Sequence, residues 1–112
     1  MAWNKGDIVL IPFPYAEQTA TKTRPALVIN GQAFMKAEGR LIVAAITSNV
    51  SAHRNVTSHP LRDWTKAGLK KPSVVTAWLA TISPRLVQLK IGRLTHRDLA
   101  KVEDCLKAAL EL

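Results

Sequence analysis

Two short apolar runs near the N-terminus constrain the fold of this chain more than any other feature. They span residues 7–13 and 25–30 and are rich in Val, Ile and Leu, and because they are too short for buried helices they predict β-strands. Arg24 stands immediately before Pro25, and a residue that precedes proline is restricted to an extended backbone. The sequence therefore predicts a positively charged side chain fixed at the mouth of a sheet, where it can bind a phosphate group.

Two further apolar runs, residues 41–47 and 73–79, are bounded by Gly, Pro, Asn or Ser and extend the predicted sheet. Residues 14–23 have no apolar periodicity and predict a mobile surface loop between the first two strands. A second loop is predicted from residue 48 to about residue 69. Loops of this length within a small domain are usually functional or disordered.

The segment that follows the fourth run supports two interpretations. Ser83 followed by Pro84 has the form of an N-cap with proline at the first helical position, which favours a short helical turn over residues 85–89. The alternating apolar residues over 87–91 favour a strand instead. The sequence leaves both open.

The C-terminal segment predicts an amphipathic helix of about four turns that packs on the sheet. Thr95 with Asp98 three residues later resembles a capping box. Apolar residues then recur on one helical face: Leu99, Val102, Leu106, Ala109 and Leu110. The early strands have no crossover helices between them, so an antiparallel sheet is expected. The predicted fold is mainly β with one C-terminal helix, a small and strongly bent sheet or half-barrel, in a single domain over residues 1–112.

The charge balance favours a polyanionic partner. Sixteen Lys and Arg oppose eight Asp and Glu, so the formal charge is +8 at pH 7. A basic surface attracts polyanions at long range, and nucleic acid is the leading class. An acidic protein partner, or no polyanionic partner at all, are the alternatives.

Several functional classes have no support in the sequence. His53, His59 and His96 are scattered, Cys105 is the one cysteine, and no metal-ligand spacing or nucleotide-binding glycine motif occurs, so we expect neither a metal nor a cofactor. No apolar run approaches the roughly 18 residues that a membrane span needs, and the N-terminus lacks signal-peptide architecture. These features predict a cytoplasmic protein with no membrane association, in which Cys105 is a buried structural thiol.

A candidate site emerges at the ends of two predicted strands. If residues 24–30 and 41–47 pair as a hairpin around the connection over residues 31–39, Arg24 and Thr47 reach the same end of the sheet. A guanidinium offers a bidentate fork to phosphate oxygens, and a threonine hydroxyl can orient a phosphodiester. The alternative is that Arg24 is a solvated strand terminator and that Thr47 and Ser48 form an ordinary turn.

The order of these motifs resembles the MazF/PemK (Kid) family of toxins from type II toxin-antitoxin systems. The resemblance covers nearly the whole chain and rests on five blocks: Gly6–Pro12, Arg24–Ile29, Ala45–Ser48, Ser73–Val75, and Ile91–Thr95 followed by a helix. It implies an SH3-like, CcdB-like β-barrel and a symmetric homodimer. It also implies metal-independent, sequence-specific cleavage of single-stranded RNA (an mRNA interferase), inhibition by a cognate acidic antitoxin, and DNA binding together with that antitoxin.

The resemblance also implies roles for individual residues. Arg24 corresponds to the catalytic arginine of the family and Thr47 to its catalytic threonine or serine, with Ser48 as the adjacent alternative. Glu17 is a candidate general base, although its spacing from Arg24 departs from the family pattern. His53 is a candidate acid or base in place of the acid that some relatives carry, because a neutral imidazole suits either role near pH 7.

Residues beyond the catalytic set are predicted to contact the RNA. Asn49 follows the catalytic strand, Arg54 and the pair Lys70 and Lys71 can track phosphates, and Trp64 can stack on a base. For Trp64, packing at the dimer interface or under the loop is the equal alternative. Trp78, within an apolar strand, is expected in the core or facing an antitoxin.

A second function also fits this fold. A non-catalytic module could use the same barrel to bind a protein, as gyrase-poisoning relatives of the fold do, because a fold does not determine a function. The pairing of Arg24 with Thr47 favours the nuclease, and the missing acid favours the binding module.

Overall fold

The described chain forms an antiparallel sheet with a helix at its C-terminal end. The computed structural model describes residues 3–12 and 23–112. The elements in chain order are β1 (Asp7–Ile11), β2 (Arg24–Val28), α1 (Gln32–Glu38), β3 (Leu41–Thr47), β4 (His59–Pro60), β5 (Val74–Ile82), β6 (Leu89–Arg93) and α2 (His96–Leu110). Short 3₁₀ turns lie at Val50–His53 and Pro84–Leu86.

Within the described residues the six strands form one sheet in the order β4-β5-β3-β2-β1-β6, and every neighbouring pair is antiparallel. The register of β3 against β5 shifts between Ala44 and Ile46, and that of β1 against β6 shifts between Ile8 and Val9. Such irregularities increase the local twist of a sheet. The sheet is a curled half-barrel, which confirms the predicted mainly β fold with a C-terminal helix.

Apolar residues fill both faces of the sheet because side chains alternate along each strand. One face packs against α2 through Ile8, Leu27 and Ala44, and Val102 of α2 is 1% exposed against them. The opposite face is a second cluster that includes Val9, Val28, Val43 and Ile82, with Trp3 and Met35 partly covering it. The sheet is thus held rigidly from both sides.

Helix α1 was not predicted from the sequence, which treated residues 31–39 only as the connection of a hairpin. The predicted pairing itself is confirmed, since β2 and β3 are antiparallel neighbours. The helix ends at Gly39, whose left-handed backbone (φ 64°) lets its N–H bond the Met35 carbonyl at 2.8 Å. Glycine adopts this conformation without steric cost, so Gly39 was a helix-end signal.

Both interpretations of the segment after β5 are confirmed in part. Pro84–Leu86 is a 3₁₀ turn, and the Ser83 Oγ accepts a bond from the Arg85 N–H at 3.2 Å. The chain then returns to the sheet as β6, which pairs with β1. The turn is shorter than the helical prediction because the apolar alternation is satisfied by strand pairing.

The capping box predicted at the start of α2 is wrong, although the helix is confirmed. Thr95 makes no side-chain bond to the helix backbone. Its hydroxyl instead donates to Asp63 Oδ2 at 2.7 Å, and Asp98 accepts bonds from the loop before β5. Tertiary partners have replaced the local cap.

Other predictions have mixed outcomes. Strand β3 has the predicted bounds, whereas β2 begins at Arg24 and β5 extends to Ile82. Most of the predicted loop over 14–23, including Glu17, lies outside the described residues. Cys105 is only half-buried, and burial raises the pKa of its thiol. None of the helices in the described segments is long and apolar enough to span a bilayer.

Candidate active site

The pairing of β2 with β3 brings the two predicted catalytic residues together. Ala26 of β2 lies opposite Ala45 of β3. Continuing this antiparallel register by two residues places Arg24 alongside Thr47. Arg24 is also the partner of Ile11 across β1, so its backbone is held between two strands while its side chain is exposed. The strand-end cation that the sequence predicts is therefore present.

Arg24 and Thr47 line an open cleft of about 410 Å³ at this end of the sheet. Apolar side chains from β1, β3 and β6 form part of its surface, among them Leu10, Ile46 and Ile91. The polar and charged side chains of the cleft are Arg24, Thr47, Ser48, Lys70, Lys71 and Ser73. Five of these six were predicted as site residues, and the structure brings those five into one cavity.

The electrostatics of the cleft are strongly cationic. Its described lining carries Arg24, Lys70 and Lys71 and no carboxylate. In the part of the chain that the structure describes, no carboxylate lies within ion-pair distance of these three cations, whereas other basic residues such as Arg93 and Arg97 are paired with acids. Positive charges grouped in a concave surface concentrate an anionic ligand there.

The Thr47 hydroxyl is oriented by the turn that follows β3. The Asn49 backbone N–H donates to Thr47 Oγ1 at 3.1 Å, and the Ser51 hydroxyl donates to Asn49 Oδ1 at 3.4 Å. The first of these bonds occupies a lone pair of the threonine oxygen and leaves its O–H able to donate. Thr47 can thus offer a hydrogen bond to an oxygen in the cleft, while the Asn49 side chain is committed to the turn.

The far wall of the cleft is formed by Gly68, Leu69, Lys70, Lys71 and Ser73, which we call the lysine wall. Ser73 was missed as a site residue. It is 6% exposed, and its hydroxyl donates to the Lys71 carbonyl at 2.9 Å, so it fixes the backbone beneath the lysine. A serine flanking an apolar run gave no sequence signal of this contact.

His53 is directed at an aromatic ring rather than at the cleft lining. Its imidazole lies edge-on to Trp78, with ring centroids 5.2 Å apart and an interplanar angle of 78°. Neither ring is among the residues that line the cleft, and neither is Arg54. Trp78 is 54% exposed, so a place in the core is excluded, and the other expectation, that it faces an antitoxin, stays a prediction.

Trp64 packs against the core and is partly exposed. It is partly buried against the cluster that contains Leu61 and Ala67, and it is absent from the cleft lining. Of the two predicted roles for Trp64, packing under the loop is the one that agrees with this placement.

Two buried carboxylates join α2 to the turn that precedes the lysine wall. Asp63 is 8% exposed and accepts bonds from Arg97 Nε and Nη2, both at 2.6 Å, and from the Thr95 hydroxyl. The Arg97 and Thr95 bonds hold the pKa of Asp63 well below its usual value. For Asp98, burial raises the pKa, but bonds from the Arg62 and Asp63 N–H groups and from His59 outweigh it, so the net pKa is lowered. Both groups are therefore ionised at neutral pH.

No three His, Cys, Asp or Glu side chains within residues 3–12 and 23–112 are grouped so that they could hold a metal ion. The cleft instead presents fixed cations and hydroxyl groups. These groups can bind and polarise a phosphodiester directly.

Fold and cleft together define a small half-barrel protein with a cationic cavity at one end of its sheet. The family model for PemK-like, MazF-like toxins of type II toxin-antitoxin systems matches residues 4–110 of this chain. The chain belongs to this family.

Several solved structures share this fold. An endoribonuclease in complex with its cognate antitoxin, from a mycobacterial species, is 17% identical, with 99% of this chain and 97% of that chain covered and a TM-score of 0.81. MazF from Deinococcus radiodurans is 23% identical over 100% and 99% of the two chains, with a TM-score of 0.77. Mycobacterium tuberculosis toxin MazF-mt6 is 23% identical over 95% and 97%, with a TM-score of 0.76. Among curated proteins, no significant match was found.

Proposed function

We propose that this chain is a toxin that cleaves single-stranded RNA at short specific sequences without a metal ion, and that Arg24 and Thr47 carry the reaction. The observation that supports this most directly is the cleft itself, in which both side chains lie together with Lys70 and Lys71. Membership of the toxin family supports the same activity, since two neighbours of this fold are named endoribonucleases.

The proposed reaction uses the substrate's own nucleophile. The ribose 2′-hydroxyl loses its proton as its oxygen attacks phosphorus, the bond to the 5′-oxygen breaks, and the 5′-oxygen takes up a proton, which leaves a 2′,3′-cyclic phosphate and a 5′-hydroxyl. Arg24 stabilises the negative charge that develops on the phosphoryl oxygens and assists protonation of the leaving oxygen. Thr47, or Ser48 beside it, positions the phosphate for in-line attack. Removing one such transition-state donor typically lowers the rate about 10²–10³-fold.

Substrate binding is assigned to the cations around the cleft. Lys70 and Lys71 contact the phosphates that flank the scissile bond, Arg54 contacts a phosphate farther along the strand, and Asn49 orients Thr47. The general base is unassigned: His53 faces Trp78, and Glu17 lies outside the described residues.

The acidic character of the expected antitoxin follows from the same charge distribution, and a homodimer is what membership of the toxin family implies. We expect a homodimer and a cognate antitoxin whose acidic segment covers the cleft, with Asp or Glu opposite Arg24, Arg54 or the two lysines. One structural neighbour is in complex with its cognate antitoxin, and another is a MazE-MazF complex from Deinococcus radiodurans. Raising the salt concentration should lower the association rate strongly and the dissociation rate slightly, because charge steers the encounter and apolar contacts set the residence time.

The deciding experiment is incubation of the purified protein with a long RNA in EDTA. We expect a small set of discrete fragments with 5′-hydroxyl ends. Thr47→Val, which removes the hydroxyl, should lose most of the activity, whereas Thr47→Ser should retain it. Arg40→Ala is the matched control for Arg24→Ala, since Arg40 is an exposed arginine that precedes the opposite end of β3.

The same assay tests the alternative of a non-catalytic binding module. The absence of a carboxylate or imidazole from the described cleft lining favours that alternative. A wild-type protein that binds a partner protein and leaves RNA intact in EDTA and in Mg²⁺ would establish it and refute the nuclease proposal.

A further inference from the structure

The lysine wall belongs to the irregular segment between β4 and β5, and contacts with α2 and β6 help to hold this segment in place. Residues 61–73 form turns rather than a helix or a strand. Within the turn, the Ala67 N–H bonds the Asp63 carbonyl and the Leu69 N–H bonds the Trp64 carbonyl. These bonds shape the turn, and a bond from the Leu61 N–H to the Ser73 carbonyl at 2.9 Å closes its base. The middle of the turn is attached to α2 and to β6 by separate contacts.

Helix α2 supplies one attachment through a reciprocal pair of carboxylates. Asp98 of α2 reaches the turn, where Oδ1 accepts the Arg62 N–H at 3.0 Å and Oδ2 accepts the Asp63 N–H at 2.8 Å. Asp63 of the turn reaches α2, where it accepts bonds from Thr95 and Arg97. We call these two carboxylates with their bonds the carboxylate clasp.

The Asp98 side chain of the clasp is buried and bonded on both oxygens, which restricts its motion. Asp98 is 1% exposed, and its Oδ1 is also 2.8 Å from His59 Nε2 in β4, so three separate segments meet at one side chain. A buried carboxylate with charge-assisted bonds on both oxygens has little freedom to move. Arg62 and Asp63 are thereby fixed relative to α2.

The second attachment is a close contact with β6. A Cβ built on Gly92 would lie 2.1 Å from the Ala67 carbonyl oxygen, and one built on Gly68 would lie 2.8 Å from the Ile91 carbonyl oxygen. The turn therefore rests directly on the β6 backbone. Gly68, which takes part in this contact, is also the first residue of the lysine wall, and Leu69 follows it.

We propose that Asp98 and Asp63 are positioning residues for RNA binding, because they fix the turn that leads into the lysine wall and do not themselves line the cleft. The inference rests on the proposed ribonuclease function. Neither carboxylate lines the cleft, so their effect on the substrate passes through Lys70 and Lys71. Loss of the clasp frees the turn to move and weakens substrate binding, while Arg24 and Thr47 stay in place on the sheet.

The test measures the cleavage kinetics of Asp98→Asn on a short labelled RNA. The substitution keeps one acceptor oxygen but replaces the other by an N–H₂ group, which faces a backbone donor. We expect KM to rise about 10-fold with kcat within about threefold of wild type, the pattern of lost ground-state binding. Asp104→Asn, an exposed charge change on the same helix, is the matched control and should leave both constants unchanged.

A double-mutant cycle separates positioning from a general loss of folded enzyme. In a protein that already carries Lys70→Ala and Lys71→Ala, adding Asp98→Asn should raise KM less than twofold further, because the lysines through which it acts are gone. If KM in the triple variant rises by the product of the two separate rises, the proposal is overturned. So would a fall in kcat with KM unchanged, which indicates fewer active molecules.

Two further measurements cover the remaining outcomes. Hydrogen exchange in Asp98→Asn should accelerate at residues 61–71 but not in β2 or β3. Unchanged exchange at residues 61–71 would contradict the role of the clasp.

If Asp98→Asn does not fold, Thr95→Val removes only one bond to Asp63 and should raise KM in the same way but by a smaller factor. A wild type that neither binds nor cleaves RNA overturns the proposed function and the positioning role with it, whereas an active wild type with an unaffected clasp variant overturns the positioning role alone.

Discussion

Gly92→Ala should destabilise the fold and displace the wall of the cleft. The added Cβ would meet the Ala67 carbonyl oxygen at 2.1 Å and its carbonyl carbon at 2.9 Å. Ordinary contact begins near 3.4 Å, so Ala67 must retreat by about 1 Å. Both atoms belong to the backbone, so no side-chain rotation can relieve the overlap.

The magnitude follows from the size of this overlap. Forcing a methyl group into a closely packed site costs about 1–3 kcal/mol. For a chain of this length, 1 kcal/mol lowers the midpoint of thermal unfolding by about 4 °C. Gly92→Ala should therefore unfold about 4–12 °C below wild type in a melt followed by circular dichroism.

Gly31→Ala provides the control at an unobstructed glycine. Nothing lies within 4 Å of a Cβ at Gly31, and its backbone is extended (φ −90°). Alanine is a poorer N-cap than glycine for α1, but it also lowers the entropy of the unfolded chain, and these effects offset each other to within about 1 kcal/mol. A Gly92→Ala protein that melts within about 2 °C of wild type would refute the close packing of β6 against the turn.

The remaining predictions concern charge. Arg24→Ala should lower the cleavage rate about 10²–10³-fold with an unchanged melting temperature, because Arg24 is exposed; equal losses in Arg40→Ala would contradict a specific role. The affinity for RNA should fall with salt by about 0.7 log units per decade for each phosphate contact, and a salt-independent affinity measured by fluorescence anisotropy would argue against a phosphate-binding cleft. The pKa values of Asp63 and Asp98 are lowered from an ordinary value of 3.8. The stabilisation of the folded state by these two ionised carboxylates is therefore complete above about pH 5 and is lost as the pH falls through and below about 4. The free energy of unfolding of Asp98→Asn, measured by acid titration, should depend less on pH in that window. Because burial raises the pKa of Cys105, its alkylation at pH 8 should be slower than that of a free thiol and should accelerate to that rate in denaturant.

Much of the site could be predicted because its residues are marked by local patterns. Arg24 before Pro25 fixes an extended backbone whatever the tertiary surroundings, and the change from apolar to hydroxyl side chains at Thr47 marks the end of a strand. Two antiparallel neighbours with a short connection must place these ends together. The cleft was therefore foreseeable as soon as the pairing of the two strands was inferred.

The sequence by itself determined β1, β2, β3 and β5, the C-terminal helix and the sheet edge that carries Arg24 and Thr47, since each depends on periodicity or on a restricted backbone. Strand β4 lies within the segment predicted as a loop. Only the tertiary structure decided which groups the polar residues would meet. Thr95 and Asp98 have the spacing of a local cap but bind a turn more than 30 residues away, because a buried carboxylate gains more from several donors than a helix end gains from one. Trp64 is packed and Trp78 is exposed for a similar reason: the burial of an aromatic ring depends on what the rest of the chain brings against it, and no local pattern specifies that.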